Sequence, residues 1–179
     1  MLTRETCSVE FVYHFSEDAS IERFVPHVPP TNPTQRAAVW AIDAQHAPLY
    51  WFPRDCPRVT AWPREDAERE LFEATFHTTA RRVHAVELGW LDRIRSVELF
   101  RYSFDGDLFR QRTMASGQWV SHAMVEPIDV EPVGDLLDAH ADAVIELRAV
   151  PSLWPLHDLV QSDRWDFSIV RMHNADART

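Results

Sequence analysis

Glycine is the residue whose scarcity most limits what this chain can fold into. Only four are present in 179 residues, Gly89, Gly106, Gly117 and Gly134. Glycine lets a backbone turn sharply or approach a phosphate closely. These four lie too far apart for a Gly-x-Gly-x-x-Gly turn, so the usual dinucleotide fingerprint is absent. All 18 basic residues are arginine. Without lysine there is no Walker A loop, no Schiff-base enzyme and no pyridoxal phosphate enzyme. A nucleotide site in this chain must be built by another device.

Prolines add a second constraint. Four of the 12 fall within residues 26–33, which must form an extended loop, because proline blocks helix and interior strand alike. The length predicts a single domain over 1–179, with an ordered core at about 9–175. Such a chain buries roughly 70% of its unfolded surface and needs no metal or disulfide to fold. The net charge of -10 argues against nucleic acid as a general partner, because phosphate affinity comes from clustered basic residues. Cys7 and Cys56 form no disulfide framework and no metal pattern. No apolar run is long enough to cross a bilayer, so no membrane partner is expected. The start of the chain lacks a signal-peptide core, and a cytoplasmic location is expected.

Read for organisation, residues 9–15 predict a strand, followed by a short helix through Phe24. Residues 37–42 predict a second strand. Asp43 then caps a helical turn over 44–51, which Pro53 stops. Further strands are expected at 57–62, 82–88, 97–104, 118–125, 128–133, 144–150 and 167–172. Segment 82–88 alternates Val83 and Ala85 against His84 and Glu87, as a half-exposed strand would. Residues 64–75 predict an exposed helix or insertion. Gly89 opens a short helix. Residues 134–143 and the stretch after Pro151 predict amphipathic helices. The order does not alternate as parallel α/β units do. The expected fold is α+β, with a bent, mainly antiparallel split sheet and short helices.

Three segments carry candidate chemistry. Tyr13-His14-Phe15-Ser16 offers an imidazole and a hydroxyl at the end of the first strand. Trp40-Ala41-Ile42-Asp43 runs into a turn carrying His46, Tyr50 and Trp51, whose rings can stack on a nucleobase or nicotinamide. Arg54 and Arg58 bracket Asp55 in a loop that could hold a pyrophosphate by bidentate contacts. The alternative for each is structural: a satisfied strand histidine, core aromatics and a surface ion pair. The nine histidines show neither His-x-x-x-His nor His-Glu-x-x-His spacing, so no metal is expected. No Gly-x-Ser-x-Gly elbow occurs.

Tyr-His-Phe-Ser-Glu, Val-Trp-Ala-Ile-Asp, His-Ala-Pro-Leu-Tyr-Trp-Phe-Pro-Arg-Asp-Cys-Pro-Arg, Glu-Pro-Val-Gly-Asp-Leu-Leu and Pro-Ser-Leu-Trp-Pro-Leu together resemble an uncharacterised bacterial family, from about residue 12 to 175. A first-strand Tyr-His, a strand Val-Trp-Ala-Ile-Asp and a helix with Ala-x-x-Tyr are also similar to the His-Tyr-Glu branch of the ADP-ribosyltransferase superfamily. That resemblance implies an NAD site without a glycine fingerprint. It implies His14 and Ser16 beside the adenosine ribose, Tyr50 (Trp51 as the alternate) against the nicotinamide, and Trp40 on the strand beneath. It further implies a catalytic glutamate opening a later strand. Spacing puts that place at Ala123; Glu126 is three residues late, and His122 is the other polar substitute. The expected function is binding of NAD, or a related nucleotide, with transfer of ADP-ribose and loss of nicotinamide. The rival is a non-catalytic module that binds a nucleotide or small ligand.

Overall fold

The computed structural model describes residues 9–29, 33–112, 117–161 and 164–178. Its contacts cluster in two compact units. The first is Met1–Tyr50 with Leu99–Pro132, and the second is Trp51–Glu98 with Val133–Thr179. Cys7 and Pro30 lie outside the described residues.

The first unit is built on strands β1 (Phe11–Ser16), β2 (Val39–Ile42), β5 (Phe100–Asp105), β6 (Arg110–Gln111), β7 (Gln118–Ser121) and β8 (Asp129–Pro132). They form one antiparallel sheet in the order β6-β7-β2-β1-β5-β8. Alternate residues on a strand face opposite ways. Val12, Val39, Ala41, Tyr102, Phe104 and Trp119 therefore share one face, where they bury the core with Phe24, Phe109 and Val125. The helix expected through Phe24 is replaced by irregular chain. Asp18 accepts from the Ser20 backbone N–H at 2.8 Å, a local turn that competes with a helical start. Phe24 then bridges Val125.

The second unit holds β3 (Arg58–Trp62), β4 (Arg82–Glu87), β9 (Ile145–Val150) and β10 (Asp166–Val170), in the order β10-β3-β4-β9. Its pairs are antiparallel except β4 with β9, which is parallel. The helices α1 (Arg69–Phe76), α2 (Leu91–Ser96), α3 (Leu136–Asp142) and α4 (Trp154–Val160) belong to this unit. Val59, Ala61, Val83 and Ala85 meet Phe72, Phe76, Leu153, Val160 and Trp165 in its core.

Thus the α+β class holds, with two mainly antiparallel sheets and four short helices among the described residues. Two further expectations change. The charged segment 64–75 does form a helical stretch, but α1 is anchored rather than exposed, with Phe72 and Phe76 almost wholly buried. Strand β4 is not half-exposed. His84 is 0% and Glu87 3% exposed, because β4 runs between two neighbouring strands and both of its faces are covered.

Candidate functional site

Strand β1 pairs with β5 through six residues and β2 pairs with β7 through four. Between β1 and β2 the registered pairing is confined to Tyr13 opposite Ile42. Beyond that pair the strands part, and a side chain does the work of the missing ladder. His14 Nδ1–H donates to the Trp40 carbonyl at 3.0 Å. A carbonyl can only accept, so the neutral imidazole keeps its lone pair on Nε2. The His14 ring is steadied edge-on by Phe24, centroids 5.0 Å apart.

A small cleft of about 70 Å³ opens at this parting. Tyr13, His14 and Phe15 line it from β1, and Trp40, Ala41 and Ile42 from β2. Tyr50 and Gln118 complete it. Tyr50 reaches the cleft from a 3-10 turn, Ala47–Tyr50, that follows β2 directly. That turn is pinned at its start. Asp43 accepts from the His46 backbone N–H at 2.9 Å and from His46 Nδ1 at 2.7 Å. Burial alone would raise the Asp43 carboxyl, but the hydrogen bonds and charge of His46 outweigh it and hold the group below its ordinary value.

The rim is basic and aromatic. The Arg101 guanidinium lies 5.0 Å from the centroid of the Tyr13 ring, and Arg112 lies 4.9 Å from that of Trp40. Arg101 is ion-paired with Glu131. Arg112 is exposed and has no acidic partner among the described residues.

Of the expected site residues, His14, Trp40 and Tyr50 line one cleft. The arrangement differs from the expected one in a specific way. Strand alternation points His14 to the core face and Trp40 to the other, so the two meet only where the strands part. Ser16 does not line the cleft; its hydroxyl accepts from the Asp18 backbone N–H at 3.1 Å. His46 is held by Asp43 rather than offered to a ligand. Trp51, in the second unit, packs edge-on against His140. Arg54 is exposed in the second unit. Arg58 is buried there, over the Phe52 ring and donating to the Cys56 carbonyl at 3.1 Å, so it stabilises a loop. Burial pushes the Cys56 thiol up to about 12, which removes it as a nucleophile.

The acid is the sharpest difference. Glu126 is 61% exposed and pairs with Arg23 at 3.1 Å. It does not line the cleft, and no other carboxylate does. His122 is exposed and donates to the Ala37 carbonyl at 2.8 Å, while Ala123 sits in an exposed bend. Sequence reasoning passed over Gln118, Arg101 and Arg112. Their place depends on the register of β7 and β5 against their neighbours, for which no local motif exists.

A wider, open depression in the second unit is lined by Glu73, His77, Thr78, Thr79 and Glu146. Its carboxylates are already paired, Glu73 with Arg69 at 2.7 Å and Glu146 with Arg148 at 2.6 Å. Among the described residues no group of three or more His, Cys, Asp or Glu could hold a metal ion. No described helix is long and apolar enough to cross a membrane. No curated protein and no solved structure matches the chain. A family model does match, over residues 13–175, from the Tyr13 of the cleft to the last residues after β10; the chain belongs to the family of unknown function DUF6886.

Proposed function

We propose that the first unit is an ADP-ribosyltransferase-like module that binds the nicotinamide end of NAD or a related nucleotide. The observation that carries this reading is the convergence of His14, Trp40 and Tyr50 on one cleft at a parted strand pair. Aromatic rings on two elements offer faces for a flat ring, and stacking of this kind contributes about 1–3 kcal/mol per ring. The cleft's size supports a single ring rather than a whole ligand, since sites that enclose one measure about 300–1,000 Å³. The rest of the nucleotide would lie across the rim, where Arg112 can meet a phosphate. Arg112 takes the phosphate-binding role that the sequence suggests for Arg54 and Arg58.

Binding is better supported than transfer. Loss of nicotinamide builds positive charge on the ribose, and a carboxylate at the ring is the group that would steady it. The cleft lining contains none, and Glu126 is engaged by Arg23 on the surface. The chain is therefore read as a nucleotide-binding module, with transfer of ADP-ribose as the second reading.

The test is a calorimetric titration with NAD, nicotinamide mononucleotide and ADP-ribose. The expected result is a dissociation constant below about 1 mM for the two nicotinamide nucleotides, equivalent to about 4 kcal/mol. ADP-ribose should bind more weakly, because it lacks the ring. Prolonged incubation should leave NAD intact, and Glu126→Gln should bind within about twofold of the parent. No heat with any nucleotide at millimolar concentration overturns the reading. Release of nicotinamide that Glu126→Gln abolishes selects transfer instead.

A further inference from the structure

Trp40 Nε1 lies at the cleft buried and without a hydrogen-bond partner among the described residues, and as an indole N–H it can only donate. His14 is bonded to the Trp40 carbonyl and Tyr13 lies beneath Arg101. Gln118 is half-buried, lies opposite Ile42 in the β2–β7 register, and so faces the same side as Tyr13. Its carboxamide makes no hydrogen bond among the described residues. A half-buried amide without a protein partner keeps two donors and one acceptor for something else. Leaving such a group unsatisfied costs about 1–3 kcal/mol when it is desolvated, so a ligand that covers it must answer it.

Resting on the reading above, we infer that Gln118 is the specificity residue of the cleft and selects a flat ring bearing a primary carboxamide. The chemistry is reciprocal. A primary carboxamide presents one carbonyl acceptor and an NH2 donor, and the Gln118 amide presents the same pair in the opposite sense. Two hydrogen bonds close a ring between them while the aromatic walls hold the ligand's plane. A carboxylate on the same ring offers acceptors only. It satisfies the Gln118 donors and leaves the Gln118 carbonyl facing a second oxygen, a repulsive contact. Sites that hydrogen-bond a substrate's polar group reject analogues lacking it far more strongly than apolar pockets reject a methylene.

The experiment titrates the full chain with nicotinamide, nicotinic acid and 3-(aminomethyl)pyridine, using tryptophan fluorescence, with NAD in parallel. The expected order for the unmodified protein is nicotinamide over nicotinic acid by about tenfold or more. Gln118→Leu should lose that preference, and its melting temperature shows whether it folds. Gln118→Glu keeps the shape but offers acceptors only, and should shift preference to the cationic 3-(aminomethyl)pyridine. A merely structural Gln118 cannot produce that exchange of preference. If NAD binds and all three rings keep their order in both variants, Gln118 is not the specificity residue, while the nucleotide reading survives. If the unmodified protein binds neither NAD nor any ring, the nucleotide reading fails, and this inference fails with it.

Discussion

At Gly117 the backbone takes φ +74°, and an added Cβ would stand 2.3 Å from the His46 ring. The ring cannot step aside, because Asp43 holds it at 2.7 Å. The Gly117 carbonyl in turn accepts from the Asp43 backbone N–H at 2.9 Å. Three residues thus lock the start of the turn that delivers Tyr50 to the cleft, and only glycine fits the approach. Gly117→Ala is expected to lose about 2–4 kcal/mol, strain and clash together, read as a lower urea midpoint. Gly134→Ala is the control. Its φ is +86° but nothing lies within 4 Å of the added Cβ, so it should lose only about 1 kcal/mol. Equal losses in the two variants would show that the His46 contact does not limit the turn.

Helix α1 has one face that its charge pattern reveals and one that it hides. The glutamates and arginines of 64–75 mark a helix with a solvated face, and Arg69 pairs with Glu73 one turn on. Charge content says nothing about the two phenylalanines on the opposite face. Phe72 and Phe76 stack 4.5 Å apart and meet Trp165 edge-on at 5.5 and 5.6 Å. Phe72→Ala should therefore destabilise by about 3–5 kcal/mol, while Leu71→Ala, at a site 48% exposed, should cost under about 1 kcal/mol. Chemical denaturation of both variants checks this, and near-equal midpoints would return the segment to an exposed insertion. The same division applies to the candidate site. The strand with His14, the strand with Trp40 and the turn with Tyr50 were legible because each is a local pattern of side chains. Gln118 and Arg112 were not, because β7 and β6 reach β2 only through tertiary pairing. The sequence leaves the place of Glu126 open for the same reason. β7 ends at Ser121, so strand alternation does not extend to residue 126.

Across the whole molecule, buried arginine, histidine and carboxylate side chains are unevenly shared. Among the described residues Arg58, His84, Glu87 and His140 are buried, and all four belong to the second unit. His140 Nδ1 donates to the Leu136 carbonyl at 2.6 Å, so its Nε2 accepts from His84 Nδ1–H at 3.1 Å. His84 Nε2 is then a buried acceptor with no partner. Burial holds the His84 imidazole well below its ordinary value, with His140, Arg82 and Arg58 adding to the effect; burial also lowers His140, against the pull of the Leu136 carbonyl. The sign follows directly. Both histidines take up protons more readily unfolded than folded, so the second unit is fully stable above the unfolded value of 6.5 and weakens as pH falls below it. One unmatched proton gives a slope of about 1.4 kcal/mol per pH unit. The first unit loses its Asp43 contribution in a separate, more acidic window, at and below the ordinary carboxyl value of 3.8. Hydrogen exchange, corrected for intrinsic rates, should thus show β3 and β4 losing protection between about pH 7 and pH 5 while β1 and β5 keep theirs. Replacing both histidines, His84→Leu with His140→Leu, removes the unpartnered nitrogen and should flatten that loss. Parallel loss of protection in the two units, or an unchanged slope in the double variant, would show that the acid response does not arise from the histidine pair.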